Sequence, residues 1–122
     1  MKRNNCIAHP SVMCNASILR TYKYRTVQKF SEDYDLWLRL AADGHVIRKM
    51  TEPLLRYRIL PDSATRATKF NVFLRLAKVK FRFVRYRLRS TGLTPYVKSV
   101  FFYACFNLLQ ALGKEVKAIF TE

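Results

Sequence analysis

The sequence predicts an α/β fold of short strands and helices that continues into two C-terminal amphipathic helices. Apolar residues recur at helical spacing in 36–41, which predicts a short helix buried along one face. Apolar and basic residues alternate in 55–59, the period of a half-buried strand. Beyond residue 64, long apolar stripes at helical spacing are bordered by lysine and arginine. We therefore divide the chain into an α/β part, 1–63, and a basic helical tail, 64–122.

The N-terminal residues predict one strand and one short helix. The run Ser11–Cys14 is partly β-branched, as in short buried strands. Asn15 suits the N-cap of a following helix, in which Ile18 and Leu19 would face inward. His9 has no metal-ligating residue at suitable spacing nearby, so we expect it to be structural or to contact a substrate.

The helix predicted from about Glu32 to Asp43 begins with acidic residues. Glu32 and Asp33 lie in its first turn, where unpaired amide groups and the helix dipole stabilise negative charge. Asp43-Gly44 ends the helix, because glycine readily takes the left-handed conformation. A carboxylate held at this helix start, beside the large aromatic Trp37, is a candidate general base for a substrate hydroxyl. The alternative is that these acids only cap the helix and balance a basic chain.

A second strand region is predicted between residues 45 and 59. His45–Ile47 suits the start of a strand, and the alternation in 55–59 would place Arg56 and Arg58 on one face. Two guanidinium groups in that position could hold the phosphates of a nucleotide diphosphate. The alternative for this arginine pair is an ordinary solvated strand face.

The charge balance points to an anionic partner. The chain has 23 lysines and arginines against 8 aspartates and glutamates, a formal net charge of +15. Such a charge attracts nucleic acid, anionic lipid headgroups or phosphorylated substrates, and by itself it does not choose among them. The three cysteines lack Cys-x-x-Cys spacing, and the N-terminus lacks the apolar core of a signal peptide. Reduced thiols in the cytoplasm fit best.

The tail predicts two amphipathic helices. The apolar stripe of the first comprises Phe70, Phe73, Leu74, Ala77, Phe81, Val84 and Leu88. Basic residues flank this stripe, which is typical of a helix lying at an anionic membrane surface. Packing on the rest of a larger enzyme and RNA binding are the alternatives, and nucleic acid is the less favoured partner.

The second tail helix begins at Thr94-Pro95, with threonine as cap and proline at the first position. Its apolar face comprises Val97, Val100, Phe101, Ala104, Leu108, Leu112 and Val116. The uncharged run 99–113 is shorter than the roughly 20 residues that span a bilayer. We therefore expect this helix to lie on a membrane or to pack in a core.

Several separate motifs, in order, resemble one enzyme family. They are His9-Pro10-Ser11-Val12-Met13, then Tyr24, then Glu32-Asp33-Tyr34-Asp35-Leu36-Trp37-Leu38-Arg39-Leu40, then Glu52-Pro53-Leu54-Leu55-Arg56-Tyr57-Arg58. Over about 5–63 the chain resembles the C-terminal, acceptor-side half of a family 2 glycosyltransferase with the GT-A fold. The family's Gly-Gly-Tyr turn is replaced by Tyr22-Lys23 before Tyr24, and its histidine two residues after the Tyr-Arg motif is replaced by Leu60.

The resemblance implies a role for each matching residue. Asp33 corresponds to the catalytic base that deprotonates the acceptor hydroxyl. Glu32 and Asp35 would support the site beside the base, and Trp37 would pack beneath the helix or stack against a sugar. Tyr57 and Arg58 would bind at the donor phosphate or the acceptor. His9 would contact a substrate.

The activity that this resemblance implies is inverting transfer of a sugar from a nucleotide-sugar to a glycan or lipid-linked acceptor, in polysaccharide or glycolipid synthesis. A divalent metal, Mg²⁺ or Mn²⁺, is expected in the intact enzyme, but no metal site is identified in this chain. Asp33-Tyr34-Asp35 has the letters of the family's metal motif and lies inside the acidic helix, which excludes it from that role. We therefore expect a donor-binding N-terminal half outside these residues, and we expect the chain without that half to be inactive.

The expected location is the inner face of the cell membrane, where the chain would be peripheral and held by its basic tail. The alternative function is a non-catalytic basic module that binds anionic membrane or nucleic acid.

Overall fold

The computed structural model describes residues 2–26, 31–56, 58 and 72–120, with side chains to residue 113 in the last range. These residues form a 3₁₀ turn, His9–Ser11, and four helices. The helices are α1 (Ala16–Thr21), α2 (Glu32–Ala42), α3 (Val72–Ser90) and α4 (Pro95–Phe120). The chain divides into two compact units, which we call the N-terminal unit (Asn5–Lys69) and the helical hairpin (Phe70–Glu122, joined by Lys2–Asn4).

The predicted α/β, GT-A-like fold is wrong for the described residues, which contain helices and no strand. Residues 12–15 and 45–50 are irregular, as are the described residues of 53–58. No backbone hydrogen bond among the described residues pairs these segments with one another. A strand is stable only when a neighbour satisfies its amide and carbonyl groups. Alternating side chains suggested strands, but the described residues supply no such neighbour.

The helix ends in the N-terminal unit are those that the sequence predicts. The Asn15 side chain caps α1 by accepting a hydrogen bond from the Ser17 amide at 3.0 Å. At the end of α2, Gly44 adopts φ +81°. Its amide donates to the Ala41 carbonyl, and the next amide, of His45, donates to Leu40. These two bonds satisfy carbonyl groups that the helix leaves without partners.

The core of the N-terminal unit lies along one face of α2. Leu36, Trp37 and Leu40 are buried, and the partly buried residues packed against them are Ile7, Val12, Ile18 and Tyr22. Leu19, predicted to face inward, is 39% exposed. Because full burial of a large apolar side chain is worth roughly 1.5–3 kcal/mol, this cluster is the main force that folds the N-terminal residues onto α2.

In the helical hairpin, α3 and α4 pack against each other. The turn between them contains Gly92 at φ +74°, a conformation that glycine adopts without steric cost. The Thr94 hydroxyl accepts from the Val97 amide at 3.3 Å, so the predicted threonine cap is confirmed. Within the described ranges, no helix combines the length and apolarity needed to cross a bilayer.

The buried face of α3 is rotated from the predicted apolar stripe. Its buried residues are Ala77, Val79, Lys80, Phe83, Val84 and Arg87. Leu88, on the predicted stripe, is exposed, and Phe81 is only half-buried. Phe70 lies outside the described residues. A periodic stripe shows that a helix is amphipathic, but the side on which α4 packs decides which residues are buried.

Lys80 is a fully buried cation in this hairpin. Its ammonium group donates to the Arg3 carbonyl at 2.5 Å and to Asn107 Oδ1. The Tyr103 ring centroid lies 5.9 Å from the same nitrogen. Burial lowers the pKa of Lys80 from 10.5 to about 8, because desolvation disfavours the charged form.

Lys80→Met removes a pH dependence of stability that we expect in the wild type. Below about pH 8 the lysine is charged whether folded or unfolded, and the folded chain bears the desolvation cost. Between about pH 8 and pH 10.5 the unfolded chain retains a proton that the folded chain has released. The free energy of unfolding therefore rises with pH in this window.

Urea unfolding followed by circular dichroism measures this rise. Comparison with Lys80→Met isolates it from other titrating groups, such as Tyr96, whose pKa burial raises to about 12. Lys78→Met, on the exposed side of the same helix, should keep the rise. An equal pH dependence in wild type and Lys80→Met contradicts the assignment.

Candidate functional site

The first turn of α2 carries three acidic residues with different surroundings. Glu32 and Asp33 are half-buried, whereas Asp35 is fully buried. The Asp35 amide donates to the Ser31 carbonyl at 3.1 Å, which begins the helical hydrogen bonding. Two carboxylates of this turn therefore remain accessible to a ligand, and the third belongs to the interior.

Asp33 is held in place through both of its oxygens. Asn5 Nδ2 donates to Oδ2 at 3.1 Å, and the Tyr34 amide donates to Oδ1 at 2.7 Å. Each carboxylate oxygen has a second lone pair. The carboxylate is thus oriented by the protein and can still accept a hydrogen bond from a substrate hydroxyl.

A histidine–tyrosine pair belongs to the same unit as Asp33. His9 Nε2 and the Tyr24 hydroxyl share a hydrogen bond of 2.8 Å. The two ring centroids are 5.5 Å apart at an interplanar angle of 61°. His9 is exposed and Tyr24 is 42% exposed, so both polar groups are accessible from solvent.

Electrostatic coupling links Tyr24 to the acidic turn. Burial raises the pKa of the Tyr24 phenol above 10.0, and the negative charges of Asp33, Cys14 and Glu32 raise it further. A neighbouring negative charge disfavours the phenolate. Tyr24 is therefore neutral at physiological pH, and its hydroxyl can donate a hydrogen bond as well as accept one.

A buried ion pair fixes the segment that carries Tyr24. Arg39 Nε donates to Asp35 Oδ2 at 2.9 Å, and Arg25 Nη1 lies 3.8 Å from Asp35 Oδ1. Arg39 Nη2 also donates to the Lys23 carbonyl at 2.8 Å. The guanidinium of Arg39 thus ties α2 to the residue directly before Tyr24.

A second set of contacts holds this segment at the other end of α2. The Tyr22 hydroxyl donates to Asp43 Oδ2 at 2.9 Å and lies 3.3 Å from His45 Nε2. The rings of Tyr22 and His45 meet edge to face at 5.2 Å. Residues 22–25 are therefore attached to α2 near both of its ends.

The structure brings together part of the predicted site. His9 shares a hydrogen bond with Tyr24, and the charges of Asp33 and Glu32 act on the Tyr24 phenol. Asp35 was predicted to contact substrate, but it is buried and ion-paired. Trp37 is 3% exposed in the core, with the His9 ring 6.5 Å away. This position suits packing beneath the helix and does not suit stacking on a sugar.

The predicted Tyr-Arg motif is described only at its arginine. Arg58 is exposed, and no hydrogen bond or ion pair among the described residues connects it to Asp33 or Glu32. Tyr57 lies outside the described residues.

Sequence reasoning missed the residues that position the site. Asp35 and Arg39 are four apart on a helix, a spacing that favours ion pairs, and this signal could have assigned Asp35 to a structural role. The hydrogen bond between Asn5 and Asp33 joins residues 28 positions apart, so no short-range sequence pattern predicts it.

The described residues do not fit a metal ion. Among residues 2–26, 31–56, 58 and 72–120, no group of three or more histidine, cysteine, aspartate or glutamate side chains could hold one. The carboxylate of Asp35 is already engaged by guanidinium groups.

Two curated proteins match part of the chain. An uncharacterised glycosyltransferase of Methanocaldococcus jannaschii is 37% identical over 57 residues, which are 47% of this chain and 20% of that protein. The O-antigen biosynthesis glycosyltransferase WbnJ of Escherichia coli is 40% identical over 57 residues, 45% of this chain and 22% of that protein. A region of the chain is similar to glycosyltransferases.

Each match covers less than half of this chain, and the chain spans about a fifth of the length of these relatives. No protein-family model matches the chain. No solved structure matches it either.

The different surroundings of Asp33 and Asp35 predict different effects of the same substitution. Asp35→Asn leaves two guanidinium groups beside a neutral side chain in the interior, and breaking such a pair costs about 3 kcal/mol. Asp33→Asn keeps an acceptor for Asn5 at a half-exposed position and should cost less than about 1 kcal/mol. Urea unfolding of each variant measures both changes. Equal destabilisation by the two substitutions contradicts the division into structural and accessible carboxylates.

Proposed function

We propose that this chain carries the acceptor-side part of an inverting, family 2-like glycosyltransferase in which Asp33 is the catalytic base. The observation that carries the proposal is the Asp33 carboxylate. It is oriented by Asn5 and the Tyr34 amide, remains half-buried at the surface and acts electrostatically on the Tyr24 phenol. The similarity of a region of the chain to two glycosyltransferases supports the same reaction class.

In the proposed reaction, an acceptor sugar hydroxyl donates a hydrogen bond to Asp33. Its oxygen attacks the anomeric carbon of the nucleotide-sugar from the side opposite the leaving group. The new carbon–oxygen bond forms as the bond to the nucleotide diphosphate breaks, and the diphosphate leaves with the bonding electrons. The acceptor proton passes to Asp33, and attack from the side opposite the leaving group inverts the configuration at the anomeric carbon. General-base catalysis of this kind contributes typically 10²–10⁴-fold to the rate.

The residues around Asp33 have supporting roles in this proposal. Tyr24 and His9 bind and orient the acceptor through their exposed polar groups. Glu32 adds a second carboxylate that can accept from a neighbouring sugar hydroxyl. Arg39, through its bonds to Asp35 and the Lys23 carbonyl, keeps Tyr24 in place.

The residues that would bind the nucleotide-sugar donor follow from the resemblance alone. On the resemblance we assign Tyr57 and Arg58 to the donor phosphate or the acceptor site, and the exposed position of Arg58 is compatible with an anionic ligand. A divalent metal expected for the intact enzyme has no assigned ligand among the described residues.

The proposed substrates are a nucleotide-sugar donor and a glycan or lipid-linked acceptor. One of the two relatives is named for O-antigen biosynthesis, which supports a role in the synthesis of a cell-surface polysaccharide or glycolipid.

Asp33→Asn should lower sugar transfer by at least about 100-fold, because the amide does not take up the proton. The measurement is incorporation of label from a panel of labelled nucleotide-sugars into glycan and lipid-linked acceptors by the intact enzyme, in which the donor-binding half expected from the resemblance accompanies this region. Glu52→Gln is the matched control, because this acid is exposed and lies outside the proposed site. Circular dichroism verifies that each variant folds.

Acceptor binding supplies a second readout that does not require the donor. Saturation-transfer NMR with the same glycans should detect binding to wild type and Glu52→Gln, and weaker binding to Tyr24→Phe and His9→Ala. Wild-type transfer by Asp33→Asn overturns the assignment of the base. Absence of glycan binding by the wild-type chain, together with absence of transfer by the intact enzyme, overturns the proposed function.

A further inference from the structure

Tyr22 is attached to the N-terminal unit through its backbone, its ring and its hydroxyl group. Its amide donates to the Ile18 carbonyl at 2.7 Å, at the end of α1. Its ring packs against the core cluster of α2, and the Arg39 guanidinium carbon lies 6.0 Å from the ring centroid. Its hydroxyl donates to Asp43 Oδ2 at 2.9 Å. Three different neighbours thus fix the position of Tyr22.

Tyr24, two residues later, lies nearer to solvent. Its ring is 42% exposed, and its hydroxyl shares a hydrogen bond with His9, which is itself exposed. A hydrogen bond between two exposed side chains contributes little by itself, because water competes for both partners. The position of Tyr24 therefore depends on how firmly the residues before it are held.

Lys23 connects the two tyrosines and is held by the same guanidinium group. Its carbonyl accepts from Arg39 Nη2 at 2.8 Å, while the Arg39 guanidinium also lies beside the Tyr22 ring. Two residues of chain span at most about 7 Å. Because so little chain separates them, a displacement of Tyr22 is passed on to Tyr24.

Each of the two tyrosine hydroxyls meets one of the two histidines of the chain. Tyr24 pairs with His9 at 2.8 Å, and the Tyr22 hydroxyl lies 3.3 Å from His45 Nε2. Since the Tyr22 hydroxyl donates its proton to Asp43, its oxygen is the acceptor toward His45. The two imidazole rings therefore report separately on the two tyrosines.

We propose that Tyr22 is a positioning residue for acceptor binding, which acts by holding Tyr24 in place through the hydrogen bond of its hydroxyl to Asp43. The inference rests on the proposed function, in which Tyr24 orients the acceptor sugar. Ordering a side chain and its backbone costs conformational entropy. When the protein orders Tyr24 beforehand, the acceptor does not bear that cost on binding. Tyr22 acts through Tyr24 and is not itself a catalytic residue.

Imidazole ¹⁵N NMR of the chain tests the positioning without a sugar. Tyr22→Phe removes the hydroxyl group and keeps the ring in its packing site. The signals of His45 should shift because its partner is lost, and the signals of His9 should shift because Tyr24 moves. Thr21→Val is the matched control, since it removes the neighbouring hydroxyl, which bonds to the Ser17 carbonyl within α1. It should leave the His9 signals as in the wild type.

Two substitutions of Asp43 identify the hydrogen bond as the cause. Asp43→Ala deprives the Tyr22 hydroxyl of its acceptor and should shift the His9 signals in the same direction as Tyr22→Phe does. Asp43→Asn keeps an acceptor oxygen for the same hydroxyl and should leave the His9 signals in place. Circular dichroism verifies that each variant folds.

Acceptor kinetics of the intact enzyme test the consequence for binding. Tyr22→Phe should raise the acceptor KM by about three- to tenfold, the cost of immobilising one further side chain. The donor KM and kcat should stay as in the wild type, as should all three constants in Thr21→Val. A purely structural defect would instead lower the active fraction, and hence kcat, without a change in the acceptor KM.

The possible failures are distinguishable. His9 signals that are identical in wild type and Tyr22→Phe overturn the proposal, as does an unchanged acceptor KM in this variant. Either result leaves the proposed function intact when the wild-type enzyme transfers sugar. Absence of transfer and of glycan binding in the wild type overturns the proposed function and, with it, the acceptor role of Tyr22.

Discussion

The candidate site depends on the ion pair between Asp35 and Arg39. Asp35 is fully buried, and Arg39 is nearly so. Desolvating both groups is costly, and the cost is offset only while each keeps its partners. Arg39 also donates a second hydrogen bond, to the Lys23 carbonyl. The same guanidinium group that pairs with Asp35 therefore fixes the segment before Tyr24. The exposed polar groups of the candidate site are thus positioned by an ion pair that is itself buried from solvent.

Helix geometry explains how carboxylates two residues apart acquire opposite roles. Successive residues are rotated by about 100° around a helix axis, which puts Asp33 and Asp35 on nearly opposite sides of the first turn of α2. Asp35 faces the interior and Arg39, one turn later. Asp33 lies on the other side of the turn, where it is half-buried and accepts a hydrogen bond from Asn5. The same turn therefore supplies both the buried carboxylate that positions the site, Asp35, and the accessible carboxylate, Asp33.

Local patterns in the sequence predicted local structure well. The ends of α2, the asparagine and threonine caps, and the existence of the two tail helices all follow from short-range rules, and the structure confirms them. Predictions that required a distant partner were weaker. Alternation suggested strands, yet the described residues contain no paired neighbour. The apolar stripe of α3 did not anticipate that Lys80 would be buried, because its carbonyl and amide partners are Arg3 and Asn107, 77 and 27 positions away.

The candidate site requires that Tyr24 lie within the electrostatic field of the Asp33 carboxylate. Titration of the Tyr24 ring by ¹³C NMR tests it directly in wild type, Asp33→Asn and, as the control at the far end of α2, Asp43→Asn. We predict a wild-type pKa above 10.0 that falls in Asp33→Asn, since removing a nearby negative charge favours the phenolate, and that Asp43→Asn leaves it in place. A Tyr24 pKa that is the same in wild type and Asp33→Asn would contradict the proposed site.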